Sequence, residues 1–382
     1  MYPVDDLDAR PVELGAREVE LSALADKSEM PSDMTYVITG GCGFLGSHLV
    51  RMLLERDDHI RELRVVDKTV TDCVILDDKL CVYEADIRSK VKMSEICSGA
   101  DVIIHAASLI DVPDGTFTEE ELWDVNVRGT QNLLNCCLAS DVRCFVYTSS
   151  VDAFGPNWRG DPLEDGDEES PYDRTHLPSA YGRSKMAAES LVLEFNGRTT
   201  KDGGKLRTCA LRPPHIYGEG STLDLSFIKV AKLGTRVSLP DAKARQAYVG
   251  NVALAHLQAA EKLASHDGLA CGRVYNIHDD TPITNYQDFF EYLSPDVKIN
   301  EKIILPLWLL YFIAGVFGSL RFLLKPFCNF VPPLSRATLL ACNTTFYLSC
   351  TKARRDLGYS PIYTWEQSRQ RTARWIEKQL AV

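Results

Sequence analysis

Between Thr39 and Gly46 the chain reads Thr-Gly-Gly-Cys-Gly-Phe-Leu-Gly. A β-type run, Tyr36-Val37-Ile38, stands just before it, and residues 47–56 show helical periodicity just after it. A strand that turns straight into a helix through spaced glycines has few uses. The backbone must turn tightly and approach a ligand closely, which only a residue without Cβ permits. The helix N-terminus then offers donors and a favourable dipole to a pyrophosphate. Glycines also serve plain turns, but the strand–loop–helix context is the one a dinucleotide loop requires. Gly40, Gly43, Phe44, Leu45 and Gly46 are therefore its expected cofactor-binding residues.

The pattern repeats downstream. Short apolar runs at 63–67, 81–86, 102–105, 144–148 and 208–212 read as strands, with helical patterns at 121–140 and 181–195. Alternating strands and helices imply a parallel sheet covered on both faces, an α/β fold of the doubly wound Rossmann type. The expected core is 34–215, completed at 246–280 by a helix (248–263) and a strand (274–277). Residues 216–245 and 281–382 are expected to form a smaller C-terminal substrate lobe over the carboxyl edge of the sheet. Residues 1–33 are acidic and lack an apolar stretch, so they read as a poorly ordered extension with a short helix at 12–25, not as a signal peptide.

Composition supports this. At 45% hydrophobic residues, a chain of 382 can bury a large core. A net charge of −11 gives no electrostatic reason to bind nucleic acid. The 12 cysteines are scattered without zinc-ligand spacing, so no metal is expected and reduced, cytosol-facing thiols are.

Asp67 ends the second strand, 21 residues beyond Gly46, where an acidic side chain binds the adenosine ribose diol and repels a 2′-phosphate. This favours NAD over NADP. Asp86, ending the third strand, is placed to cap the adenine. Tyr181 and Lys185 lie four apart on a helix and so share a face. A phenol titrates at about pH 10, and a fixed cation nearby lowers that value. The same lysine is placed to hold the nicotinamide ribose. Ser150, just past the fifth strand, puts a hydroxyl at the sheet's carboxyl edge to polarise a substrate oxygen, whereas Ser149 is expected to point away and satisfy backbone. Pro213, just past the sixth strand, is expected to flank the nicotinamide, with His215 as a lining residue. These residues describe an NAD-dependent dehydrogenase of the short-chain type.

The glycine loop, His105-Ala106-Ala107, Asn126-Val127-Arg128-Gly129-Thr130, the serine strand, the Tyr181/Lys185 pair and Leu211-Arg212-Pro213 resemble the extended short-chain dehydrogenase/reductases. Within that superfamily the chain resembles the 3β-hydroxysteroid dehydrogenase/Δ5-4 isomerase family. Ile110-Asp111-Val112, Gly155-Pro156-Asn157, Ile216-Tyr217-Gly218-Glu219-Gly220, Tyr248-Val249-Gly250-Asn251 and Asp279-Asp280-Thr281-Pro282 carry that likeness. Trp308-Leu309-Leu310 and Asn343-Thr344-Thr345-Phe346 lean to the C27 3β-hydroxy-Δ5-sterol branch of bile-acid metabolism. Steroidogenic members carry proline and histidine where this chain has Gly182 and Arg183.

The resemblance implies oxidation of a 3β-hydroxy-Δ5-steroid to the 3-ketone. Tyr181 would take the hydroxyl proton, Lys185 tune the phenol and orient NAD, and Ser150 polarise the oxygen. It also implies Δ5 to Δ4 isomerisation, with Asp111, Asp152, Asp279 and Asp280 as candidate bases. A decarboxylating sterol-4α-carboxylate 3-dehydrogenase and a catalytically idle NAD-binding scaffold remain alternatives.

Residues 303–320 form 18 positions without a charged side chain, and the apolar character continues to 327. That length sits at the lower edge of a membrane-spanning helix. The stretch can cross the bilayer, lie in one leaflet, or cover the mouth of the site. Residues 352–361 resemble the closing segment of soluble extended dehydrogenases, which a single crossing would strand on the far side. The expectation is therefore a membrane-associated helix or shallow hairpin in the endoplasmic reticulum membrane, bent at Pro306, Gly315 or Gly318, with the active domain on the cytosolic side. A homodimer is left open.

Overall fold

The computed structural model describes residues 33–381 apart from 57–59, 71–76, 112–114, 232–234, 237–238, 240, 266–267, 294–302, 325–326 and 329. The expected N-terminal extension, with its helix at 12–25, lies outside the described residues.

Seven strands form one sheet: β1 (Met34–Thr39), β2 (Ile60–Asp67), β3 (Leu80–Glu84), β4 (Val102–His105), β5 (Cys144–Thr148), β6 (Arg207–Arg212) and β7 (Arg273–Asn276). Their spatial order is β7-β6-β5-β4-β1-β2-β3, and every neighbouring pair is parallel. All six residues of β1 are buried, as a strand covered on both faces requires. Alternation divides them. Tyr36 and Ile38 pack with Leu49, Leu53 and Val252 from the helices Phe44–Arg56 and Val249–Ala264. Val37 turns to the other side, with Leu133, Ala188 and Val192 from Thr130–Ala139 and Ala180–Phe195.

The register fixes where the site must be. Thr39 pairs with His105, His105 with Tyr147, and Thr148 with Leu211. The segments leaving β1, β5 and β6 therefore emerge at one edge. Sequence order reverses at β1, and open α/β sheets bind ligands in the crevice at such a point.

The helix expected at 121–140 starts earlier, at a capping box made by Thr118 and Glu121. It runs as Glu119–Trp123, passes through π turns at Asp124–Gly129, and resumes as Thr130–Ala139. The smaller lobe is not wholly C-terminal. Phe346–Leu348 pairs with Leu163–Gly166, from inside the stretch expected to be core, and His215–Tyr217 pairs with Gln246–Tyr248. Trp365–Leu380 closes over Tyr286–Leu293 through Ile376, Phe289 and Phe290.

The apolar stretch forms one unbroken helix, Leu307–Leu324, not a hairpin. Pro306 stands ahead of it, and Gly315 and Gly318 leave its helical path intact. Its Leu310 and Ala314 pack on Leu339 of the helix Arg336–Asn343.

Candidate active site

The glycine loop is shaped by what it excludes. Gly40 has φ +71°, and a Cβ there would lie 2.7 Å from the Ala107 backbone. A Cβ on Gly46 would lie 2.0 Å from the Gly40 carbonyl oxygen, so the first helical turn must carry glycine there to close on the loop. Gly40 N–H donates to Val66 O at 2.7 Å and Gly43 N–H to Gly40 O at 3.1 Å. Asp67 leans over the loop, its carboxylate accepting the Cys42 N–H at 3.1 Å. A loop in which Gly40 and Gly46 leave no room for a Cβ, beside a strand-end carboxylate, fits the pyrophosphate and ribose of a dinucleotide. Asp86 is more constrained: Arg88 binds it through the guanidinium at 2.7 Å and holds its carboxyl below the usual range.

At the β5–β6 edge, Ser149 N–H donates to Leu211 O at 2.7 Å and Val151 N–H to Pro213 O at 3.0 Å. These bonds carry the ladder one step past the strands and set Ser150 between them. Ser150 Oγ donates to Asp152 Oδ2 at 2.8 Å and accepts the Asp152 N–H at 3.1 Å. The same hydroxyl lies near enough to the Tyr181 phenol to favour its ionised form. Ser150 and Tyr181 are buried and Asp152 is half-buried. Both acids are pushed up: burial acts first on Tyr181, then the Asp152 carboxylate, and burial acts first on Asp152.

Lys185 lies one turn beyond Tyr181. Its Nζ donates to Thr148 O at 2.6 Å and sits 4.7 Å from the centre of the Tyr147 ring. Burial lowers its amine to about 7, while Glu189 and Asp152 pull the other way. The sequence reading had a cation lowering the phenol. In this structure burial and Asp152 outweigh any such effect, because Tyr181 is enclosed in apolar surroundings with a carboxylate as its near neighbour.

The helix Ala180–Phe195 is anchored by residues to which the sequence assigns no role. Glu189 accepts from Ser149 Oγ at 2.6 Å and from Arg212 Nε and Nη2 at 2.8 and 2.5 Å, all buried. Ser149 does point away, as expected, but to this carboxylate and not to backbone. Asn126, in the π turns, donates to Ser184 Oγ and Leu109 O, each at 3.0 Å, and Ser184 Oγ donates to Tyr181 O at 2.7 Å. An amide and a serine thus hold the backbone of Tyr181. Gly182 has a steric reason: a Cβ would meet the Asp152 carbonyl oxygen at 2.6 Å. Arg183 turns outward to Glu119.

The four carboxylates proposed as bases separate. Asp111 is spent on the N–H groups of Gly115, Thr116 and Phe117. Asp279 accepts from Tyr248 N–H, Asn251 Nδ2 and both donors of Thr281. Asp280 is exposed and faces Arg354 at 3.5 Å. Asp152 alone among them joins Ser150 and Tyr181. His215 lines the adjoining lobe, its Nε2 2.8 Å from Asp224 Oδ1 and its ring among Phe227, Tyr286, Phe289 and Phe290. Among the described residues no cluster of His, Cys, Asp or Glu has metal-binding geometry.

Fold and site together define a nicotinamide-dependent oxidoreductase of the extended short-chain class. A sequence model described as the 3-beta hydroxysteroid dehydrogenase/isomerase family matches residues 37–307, and the chain belongs to that family. It is similar to 3 beta-hydroxysteroid dehydrogenase type 7 of Mus musculus (40% identical) and of Homo sapiens (39%), in each case over 93% of this chain and 98% of the relative. Among solved structures it is similar to UDP-glucose 4-epimerase of Thermotoga maritima, with TM-score 0.67 and 21% identity over 91% of this chain and 100% of that one. The Bordetella bronchiseptica enzyme WbmF in complex with NAD+ gives TM-score 0.62 and 20% identity over 92% of this chain and 94% of that one. Those two likenesses show the fold alone.

Proposed function

We propose that the chain oxidises the 3β-hydroxyl of a Δ5-sterol to the ketone and then shifts the double bond from Δ5 to Δ4. The single observation that carries this reading is the enclosed cluster of Ser150, Asp152 and Tyr181 beside Lys185, within a chain of this family. Gly40, Gly43, Phe44, Leu45, Gly46, Asp67, Asp86, Lys185 and Pro213 would hold NAD. When bound, NAD supplies the hydride acceptor. Tyr181 first releases its own proton and takes the hydroxyl proton as phenolate, Ser150 turns its O–H from Asp152 to the oxygen as that becomes a carbonyl, and protonated Lys185 at the same edge favours the phenolate. A ketone at C3 acidifies C4. Asp152 takes a proton from C4 and returns one at C6: one C–H bond breaks, one forms, the double bond moves, and no electron leaves. Burial suits it to this, because a carboxylate raised from its ordinary range is the stronger base. The decarboxylating alternative would bring a second carboxylate against Asp152, and like charges in an enclosed site repel.

The apolar helix supports a bilayer location. Trp308, Phe312, Val316, Leu320 and Leu323 form one exposed stripe, while Leu310 and Ala314 hold the opposite face to the protein. A helix packed on its own domain along one face and apolar along the other suits the plane of one leaflet better than a crossing. The chain beyond it returns to the catalytic body at Phe346–Leu348. The reading is a protein held on the cytosolic face of the endoplasmic reticulum membrane, where its substrate dissolves.

The test incubates the full chain with NAD⁺ and 3β-hydroxy-Δ5-sterols, following NADH and the conjugated enone separately. Tyr181→Phe should lower both rates by about 10² to 10⁴. Asp152→Asn should keep NADH formation and lose the enone; an undiminished enone rate would remove Asp152 from the second step.

A further inference from the structure

The enclosed cavity beside Asp152, lined by Arg212, Asn276 and Tyr286, measures ≈ 40 Å³. That is room for about three waters and far too little for a sterol nucleus. Space of sterol size lies under the helix Leu307–Leu324, in a cleft of ≈ 650 Å³. Small-molecule sites range over about 300–1,000 Å³.

The cleft has two ends. One rim is Phe322 and Leu323, 77% and 66% exposed, of which Leu323 belongs to the stripe that faces the bilayer in the reading above. Its other wall is Trp158, 49% exposed, and the half-buried Pro178. Pro178 stands three residues ahead of Tyr181, a reach of at most about 10 Å, which is shorter than the long axis of a sterol. This wall is tied to the catalytic helix: Trp158 N–H donates to His176 O at 3.1 Å, and Arg183 Nη1 donates to Leu177 O at 2.9 Å. The wall on the helix side is Ala314, Gly315 and Gly318, a shallow surface that accepts a flat fused-ring skeleton. The Arg336 guanidinium lies over Gly315, whereas a Cβ on Gly318 would meet nothing within 4 Å.

We propose that this cleft is the port through which a 3β-hydroxysterol passes from the bilayer to Tyr181, and that it holds the apolar end of the sterol while C3 reacts. The proposal rests on the sterol reading above and adds the route and the residues that line it. It explains why the apolar helix shares a cleft with Pro178, just ahead of the helix that carries Tyr181, rather than anchoring the chain from a distant tail. Membrane attachment and substrate delivery are then one surface.

Gly318→Phe adds a ring on a residue that lines the cleft, at a position where the Cβ meets nothing within 4 Å, and replaces a poor helix former. With sterol presented in phosphatidylcholine vesicles, the variant should lose about tenfold in kcat/KM, chiefly through KM. NADH binding and the melting temperature should match wild type. An unchanged KM in a folded variant overturns the port. A wild-type chain that oxidises no 3β-hydroxysterol overturns the sterol reading instead, so the two failures are distinguishable. A second measurement does not depend on any variant. A 3β-hydroxysterol bearing a diazirine on its side chain, photolysed on wild type, should label the peptides containing Trp158 and Gly318. Label confined to other peptides overturns the proposal.

Discussion

Lys185 should make the chain less stable than it would be without it. The side chain is 2% exposed, and burial lowers its amine from 10.5 to about 7. A lysine whose folded value lies below its unfolded value opposes folding wherever the unfolded chain carries the charge. The penalty is full below pH 7, where both states are protonated. It fades as pH rises toward 10.5 and is absent above that. At about 1.4 kcal/mol per pH unit it amounts to about 5 kcal/mol below pH 7 and about 2 kcal/mol at pH 9. Lys185→Met keeps most of the side-chain volume and removes the charge. It also leaves the Thr148 carbonyl without its 2.6 Å partner, which costs about 1–3 kcal/mol. Without cofactor, the variant should therefore exceed wild type by about 2–4 kcal/mol at pH 6 and roughly equal it at pH 9. Denaturant unfolding of the detergent-solubilised chain at the two pH values measures this, and dehydrogenase activity should be lost at both. A variant weaker than wild type at pH 6, or a gap that fails to narrow by pH 9, would refute burial as the dominant influence on this amine.

Three further outcomes follow from the same site. Glu189→Gln strands the buried Arg212 guanidinium and should cost about 3–5 kcal/mol in unfolding measurements, part of which Arg212→Met should restore in the double variant. Asp67→Ala removes the carboxylate beside the loop, so the ratio of kcat/KM with NADP to that with NAD should rise about tenfold or more; an unmoved ratio would detach Asp67 from the ribose. Gly46→Ala forces a methyl against the Gly40 carbonyl oxygen and should abolish NADH binding measured by fluorescence, since the loop and first helical turn can no longer close.

The sheet was legible because its strands read as short apolar runs, most of them buried, although the edge strand β3 is only partly so; six of the seven fall where those runs lie before 215, and the seventh at the late strand. Helix and loop contacts within a few residues, such as Gly40 to Gly46, were equally readable. Pairings that close over long separations were not. Phe346–Leu348 meets Leu163–Gly166 through so few residues that neither carries a periodic signal. Glu189 looks like any acid on a helix until Arg212 arrives from the next strand. The four candidate bases were equivalent in sequence, because what separates them is which donors already occupy the carboxylate. The apolar helix was evident from composition, but its orientation depends on Leu339, which shows no such bias.

The π turns at Asp124–Gly129 bear on how this helix tolerates a change in length. A π turn takes up one residue more than an α turn over about the same rotation, so loss of one residue there would relax the run to regular α-helix with the phase beyond it kept. Leu133, Leu134 and Cys137 would still face Val37, Ile103 and Phe145. Asn126 lies inside the run, and its reach to Ser184 would be lost. A single-residue deletion at this seam would therefore spare the core and loosen what holds Tyr181.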